Sequence, residues 1–233
     1  MQIFYMPVVL GNEITLDETE SKHVVKSMRL GKGDKVQVVD GKGGFYTAEI
    51  TEPLPKKCRL TVLEAQQEFN KRDFWLHIAI APTKNIDRLE WFLEKATEIG
   101  IDEITPFLSE HSERKTIKPE RLEKIVISAM KQSVKAYLPK LNPLTSFNAL
   151  IQKEIASQKF IAHCQQGEKP HLKEEIERKN STLILIGPEG DFSPGEVEQA
   201  KAHNFKEISL GNSRLRTETA GVVACHIVNL ANE

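Results

Sequence analysis

The chain has little of what would place it in an oxidising compartment or a membrane. Cysteine occurs three times, at Cys58, Cys164 and Cys225, an odd number at wide spacings. No disulfide framework reads from that, and without a C-x-x-C pair no zinc site does either, so reduced thiols, a cytoplasmic location and no metal are expected. No apolar run approaches the roughly 20 residues of a membrane span. The opening MQIFYMPVVLGNEI has no basic n-region and no small-residue cleavage site, so no signal peptide is expected. The net charge of −1 excludes a general polycation. Gly41-Lys42-Gly43 is not followed by G-K-[ST], which argues against a phosphate loop, and no G-x-G-x-x-G opens a dinucleotide fold. Internal repeats and low-complexity segments are absent.

What is present fits a globular chain of one large or two ordinary domains: 233 residues, 39% hydrophobic and 28% charged. The first part reads as β-rich. KVQVVDG and GFYTAEIT flank Asp40-Gly41-Lys42-Gly43-Gly44, a hairpin signal because these residues reach positive φ cheaply. KCRLTVLEAQ predicts a further strand. TLDETESKHVVKSMRLGKGD predicts a short helix with acids in its first turn and Lys26 and Arg29 near its end, matching the helix dipole. A small β-barrel is expected over residues 1–70, with a polar linker near 67–73.

From there strand and helix alternate, the mark of an α/β domain with a mainly parallel sheet over residues 71–233. FWLHIAIAP predicts a buried strand. Ile86, Leu89, Phe92, Leu93, Ala96 and Ile99 follow the 3.6-residue period and Gly100 stops the helix. EITPFL, FIAHC, LILIG and FKEISLG predict strands, and KPERLEKIVISAMKQSV a helix. Charge is uneven: residues 109–140 carry eight Lys or Arg against four Asp or Glu. This is either a solvated helix face or an electrostatic footprint for phosphates.

LILIGPEGDFSPGE, residues 183–196, runs a buried strand into a loop with little side-chain bulk. Ser193, Pro194 and Glu196 make an S-x-x-E capping box with proline at the first helical position, and Phe192 and Val197 form a hydrophobic staple. Those residues are explained structurally; Glu189 is not. Near the end, Arg214, Arg216, Thr217, Glu218 and Thr219 crowd beside AGVVACHIVNLA, a helix apolar nearly all round that belongs in a core or a subunit interface. Thr217 or Thr219 can cap it. His226 is expected to be a satisfied core or interface histidine.

LIGPEGDFSPGEVEQA followed by ISLGNSRLRTETA resembles the RsmE family of small-subunit ribosomal RNA uridine N3-methyltransferases, of the SPOUT class. HVVKSMRLGKGDKVQVVDGKGGFYTAEI is similar to that family's PUA-like barrel, and KNIDRLEWFLEKATEIGIDEITPFLSEHS and KQSVKAYLP to its following segments. The resemblance implies a trefoil-knotted α/β domain behind a PUA-like β-barrel, a homodimer, and S-adenosylmethionine bound without metal. It places the cofactor against Gly187, Pro188, Glu189 and Gly190, against Leu210 and Gly211, and against Leu215, Arg216, Thr217 and Thr219. It makes Arg216 the candidate cation for the charge that develops on the base, with Glu189 and Glu218 orienting it or taking a proton. Lys26, Arg29, Lys32, Arg114, Lys115, Lys131 and Lys135 are the expected phosphate contacts on ribosomal RNA or the small subunit. His163 is either a rim residue or a plain strand-end histidine. Five positions depart from the family pattern: Asp191 for Gly, His111 for Arg, Lys131 for Glu, and Ser213 and Arg214, where an arginine has moved by one. A SPOUT enzyme acting on another RNA position, or a non-catalytic RNA-binding protein of the same fold, remain alternatives.

Overall fold

The computed structural model describes residues 3–153 and 156–233. They form two compact units: Met1–Lys71 with Ile127–Leu138, and Arg72–Val126 with Pro139–Glu233. The sequence suggested a single crossing near residue 70, whereas the chain returns to the first unit once more. The reason lies in backbone pairing. Gly43 N donates to Ala136 O at 2.9 Å and Leu138 N to Gly41 O at 2.9 Å, so residues 136–138 lie along the 40–44 hairpin. Such a pairing leaves no trace in local periodicity.

In the first unit β1 (Ile3–Tyr5), β2 (Glu13–Thr15), β3 (Lys35–Val39), β4 (Phe45–Glu52) and β5 (Arg59–Gln66) form one curled sheet in the order β1-β3-β4-β5-β2. Strict alternation along β4 puts Tyr46, Ala48 and Ile50 on the inner face. They pack with Phe4, Leu16, Val24, Val38 and Leu60. The hairpin between β3 and β4 is closed by the Asp40 carboxylate, which accepts from Lys42 N at 2.7 Å and Gly44 N at 2.9 Å. The expected helix is α1 (Glu18–Lys22), capped by Asp17 and continued by a π-helical turn, His23–Ser27. Arg29 then adopts a left-handed backbone, φ 57°.

The second unit is built on a parallel sheet, seven strands among the described residues: β6 (Trp75–Ile80), β7 (Glu103–Leu108), β8 (Lys140–Leu141), β9 (Thr145–Ser146), β10 (Gln158–Ala162), β11 (Ser181–Ile186) and β12 (Lys206–Ile208). The order is β12-β10-β11-β6-β7-β8, with β9 beside β7, and every pair is parallel. Central strands buried on both faces read as unbroken apolar runs, as β6 and β11 do. The helices are α2 (Ile86–Ile99), α3 (Pro119–Gln132, whose residues from Ile127 on belong to the first unit), α4 (Phe147–Ile151), α5 (Leu172–Glu175), α6 (Pro194–Ala202) and α7 (Thr217–Asn232). Phe107, Phe147, Phe192, Val197 and Phe205 form the core with inward residues of β10 and β11. Helix α7 packs on α2, β6 and β11. The approach is closest at Gly221, where a Cβ would lie 2.6 Å from the Phe92 ring. On the rest of α7 Val222, Val223 and Ile227 are half-buried, while His226 and Leu230 are exposed. His226 is thus no core residue of the chain.

One buried polar cluster interrupts the sheet. His77 Nε2 and Thr105 Oγ1 are 2.7 Å apart, and Asn142 Nδ2 donates to Thr105 Oγ1 and Glu103 Oε1. Burial pushes the His77 imidazole down to about 4, helped by Lys140 and Lys153 and opposed by Glu103. Burial alone would raise the Glu103 carboxyl, but the hydrogen bonds from Asn142 and Lys140 outweigh it and hold it below its usual value. A folded chain that keeps His77 neutral binds fewer protons than the unfolded one, so acid favours unfolding. Stability should be flat above about pH 6.5 and fall by a few kcal/mol as pH drops from there towards 4. Urea titrations across that window, repeated on His77→Gln, should show the fall shrinking in the variant.

Candidate active site

Three segments leave the carboxyl ends of neighbouring strands β10, β11 and β12 and enclose one cavity of about 770 Å³. The carboxyl end of a parallel sheet is where ligands bind in open α/β folds. One wall is Ala162–Gln165 with Lys169; a second is Ile186–Glu189 with Asp191; the third is Ile208–Thr217 with Ala220. Gly187, Pro188, Glu189, Leu210, Gly211, Leu215, Arg216 and Thr217 all line it, although 20 residues lie between Glu189 and Leu210. Gly190 and Thr219, expected in the wall, lie outside the lining.

The glycines are needed for reasons the sequence did not disclose. A Cβ on Gly187 would sit 3.0 Å from the Phe192 ring, and one on Gly190 would sit 2.9 Å from His111 Cβ. Both positions are small because neighbouring side chains pack there, so a side chain at Gly190 would meet His111 rather than enter the cavity. Gly211 is different: its φ of +123° disfavours any side chain, and open space lies where a Cβ would be.

The 187–192 loop is held from several directions. Asp191 N donates to Pro188 O at 3.0 Å, closing a tight turn. Asp191 has φ 63°, and its carboxylate accepts from Cys164 N at 2.8 Å and Phe192 N at 2.9 Å. The departure to aspartate therefore ties two cavity walls together. His111 Nδ1 lies 3.1 Å from Gly190 O and 3.0 Å from Asp191 O, two acceptors that require the proton on that nitrogen. Ser193 caps α6 and the capping box with Glu196 is complete. At α7 the expected threonine cap is replaced: Arg216 is the N-cap residue and makes no side-chain cap bond. Thr217 Oγ1 instead donates to Gly187 O at 3.0 Å, buried. The start of α7 is thereby fastened to the loop after β11.

His163 lines the cavity with its side chain 1% exposed. Gln165 N donates to its Nδ1 and Nε2 faces Glu207 at 3.0 Å, so the neutral ring carries its proton on Nε2. Burial pushes its affinity for a second proton down, with Lys169 adding to the effect and Glu207 opposing it. Arg214 and Arg216 are exposed and line the cavity, and neither side chain has a hydrogen bond or ion pair among the described residues. Glu189 Oε1 accepts from Lys84 N at 3.0 Å. Glu218 is buried and faces Arg88, not Arg216.

The expected RNA contacts divide. Lys26, Arg29, Lys32 and Lys115 are exposed. Arg114 is committed to the carbonyls of Thr83 at 3.0 Å and Lys84 at 2.7 Å. Lys131 is paired with Glu20 at 2.5 Å, so a phosphate would have to break that pair. Lys135 is half-buried. Sequence reasoning passed over Arg88, which stood only as a polar position of an amphipathic helix. Its signal was present: a cation in the first turn of a helix opposes the dipole.

Comparison with known proteins agrees with this geometry. Residues 70–229 match the RNA methyltransferase domain model and residues 16–63 the RNA methyltransferase PUA domain model. The chain belongs to the RNA methyltransferase domain family, with a PUA domain in its N-terminal unit. Its relatives include the Ribosomal RNA small subunit methyltransferase E of Bacillus subtilis, 27% identical over 92% of this chain and 88% of that protein. A crystal structure described as a probable rRNA-methyltransferase from Porphyromonas gingivalis is 40% identical, with a TM-score of 0.91 over 100% of this chain and 98% of the other. The Neisseria gonorrhoeae Ribosomal RNA small subunit methyltransferase E, solved bound to S-adenosyl methionine, is 26% identical with a TM-score of 0.87 over 97% and 95%.

Asp191 generates the test of this cavity's construction. Asp191→Ala loses both hydrogen bonds and keeps the unfavourable φ, and should cost about 1–2 kcal/mol. Asp191→Gly loses the same bonds but takes the left-handed backbone freely, and should cost less. Chemical denaturation of the two variants side by side checks the order.

Proposed function

We propose that the chain transfers a methyl group from S-adenosylmethionine to N3 of a uridine in small-subunit ribosomal RNA. The observation that carries this reading is the cavity at the carboxyl ends of β10, β11 and β12, where the G-P-E-G loop and the L-R-T-E-T strap meet. Its volume of about 770 Å³ lies within the range that small-molecule sites occupy, roughly 300–1,000 Å³. Gly187, Pro188 and Glu189 would hold the cofactor on one side, and Leu210, Gly211, Leu215, Arg216 and Thr217 on the other. Gly211 leaves backbone open to close approach. When bound, the cofactor supplies an electrophilic methyl on a sulfonium.

The chain's own residues have three tasks. The base must be brought out of any stack, because N3 is unreachable inside a helix. The N3 proton must be accepted, for which the candidates are Glu189, in the cavity wall, and Glu218, which is buried outside the lining. Negative charge then spreads over O2 and O4, and a cation aimed there stabilises it. Arg216 suits that task, since it borders the cavity with no partner of its own; a single such donor is commonly worth about 2.7–4 kcal/mol. Arg214, two residues before it, and Lys169 also line the cavity as cations.

The same reading assigns the division of labour between residues 1–70 and 71–233, RNA binding in the first and methyl transfer in the second. Exposed Lys26, Arg29 and Lys32 support it on the first unit. A trefoil-threaded strap at 208–217 and a homodimer formed through Val222, Val223, Ile227 and Leu230 of α7 belong to it as well. The half-buried apolar positions there favour a dimer, which light scattering reads as a mass near twice 26.3 kDa. A cytoplasmic location follows from the substrate.

Arg216→Ala should bind S-adenosylmethionine nearly as well as the parent by calorimetry, melt at a similar temperature, and methylate small-subunit RNA about 100-fold more slowly in single turnover. Lysine should recover part of the rate, since a point charge cannot serve two oxygens as a planar fork does. A fully active Arg216→Ala would remove that residue from the chemistry. Replacing Arg29 and Lys32 together should weaken RNA binding and flatten its dependence on salt, because fewer counterions are released; an unchanged slope would remove those two.

A further inference from the structure

His163 is a titratable group in the cavity wall that no step of the methyl transfer uses. It stands one residue beyond β10, and its side chain is almost wholly enclosed. Both ring nitrogens are engaged, on different elements. Nε2 lies 3.0 Å from Glu207 Oε1 on β12, and Lys201 Nζ, from α6, lies 3.3 Å from the other oxygen of that carboxylate. Nδ1 accepts from Gln165 N at 3.2 Å. The ring therefore links the edge strand β12 to the backbone of the loop that forms the first wall.

That loop hangs on few bonds, and they converge on Gln165. Its side-chain Nε2 donates to Phe192 O at 3.0 Å, and its carbonyl accepts from Lys169 Nζ at 2.5 Å. Cys164 N is bonded to Asp191 Oδ2. Cys164, Gln165, Lys169 and Asp191 all line the cavity. An imidazole accepts at one nitrogen only while it is neutral; the imidazolium is a donor at both. A second proton on His163 would set N–H against N–H at Gln165, and the turn would lose its closing bond. The groups facing the ring are Lys169 from its own loop, Asp191 from the loop after β11 and Glu207 from β12, with Lys201 of α6 behind Glu207. Cys164 adds an exposed thiol next in sequence. Burial and Lys169 oppose the proton more than Glu207 and Asp191 favour it, so the ring stays neutral until pH falls below the usual histidine range.

We propose that His163 is a positioning residue of the cofactor site: its neutral ring, held by Glu207, fixes the Gln165 backbone, so that the wall at 163–169 keeps the shape that S-adenosylmethionine requires and gives it up when Nδ1 is protonated. This rests on the methyltransferase reading above. His163 acts through Gln165, and it sets the affinity for the cofactor rather than the chemical step.

The test is calorimetric titration of the full chain with S-adenosylmethionine, without RNA, from about pH 8 down to about pH 5. The parent should bind with constant affinity in the upper part of that window and lose about tenfold in the lower part, the scale of one hydrogen bond. His163→Ala lacks the acceptor and should bind about tenfold more weakly throughout. His163→Asn offers an oxygen to the N–H two residues on, a bond asparagine makes readily, and cannot titrate. It should recover most of the affinity and keep it in acid. The cofactor's own ionisable groups and His77 are common to all three proteins, so the differences among them report His163. A parent affinity that does not change with pH, the same acid loss in His163→Asn, or parent-like affinity in His163→Ala overturns the proposal. If His163→Ala does not fold, the parent and His163→Asn profiles still decide. A parent that binds no S-adenosylmethionine at about pH 8 ends the functional reading and this inference with it. A parent that binds, with an acid loss that His163→Asn shares, ends only the inference.

Discussion

The Glu196 carboxylate joins two pieces of backbone that would otherwise be independent, the start of α6 and the loop after β7, and the loop after β11 is braced through them. Oε2 accepts from Ser193 N at 2.9 Å, completing the cap of α6, and from Ser109 Oγ at 3.0 Å. Oε1 accepts from Glu110 N at 2.9 Å. The residue is 8% exposed, so these bonds form away from water, where an ionised acceptor is strong if satisfied and costly if not. Through Ser109 and Glu110 the loop after β7 is fixed, and that loop carries His111 to the carbonyls of Gly190 and Asp191. One side chain that reads as a local helix cap thus holds a loop 86 residues away in sequence.

The same economy governs the charged groups around the cavity. Asp191 fastens the loop after β11 to the loop after β10, and Thr217 fastens it to α7. Glu189 is bonded to the turn before α2. These anchors leave the two arginines of the strap without partners, Arg214 and Arg216, at the surface of the same cavity. Cations held beside a concave, partly desolvated site act more strongly on developing negative charge than they would in water.

The departures from the family pattern also make physical sense once partners are visible. Asp191 replaces a glycine in a left-handed position, which aspartate tolerates better than most residues, and gains two backbone donors. Lys131 replaces a glutamate and meets Glu20 across α1 and α3. His111 replaces an arginine and uses its Nδ1 on two carbonyls. The structure offers no account of why the strap's arginine has moved to position 214.

Much of the architecture was legible locally. The period-2 runs of β3 to β5, the 3.6-residue period of α2, and the cap of α6 are all settled by residues within one turn or one hairpin of each other. The G-P-E-G and L-R-T-E-T segments were legible as a pair through their resemblance to known enzymes. What no local pattern could show is which groups are already spent. Arg114 and Lys131 read as free cations and are committed; Arg216 and Glu218 read as neighbours and face different ways. The return of residues 127–138 to the first unit, and the convergence of Arg88, Glu189 and Glu218, join positions up to 130 apart in sequence. The sequence by itself determined the elements and the chemical inventory, because propensity and capping act over a few residues. Only the tertiary structure decided the pairing of charges, because that depends on which side chains long-range packing brings within about 4 Å, where Coulomb attraction and desolvation are largest.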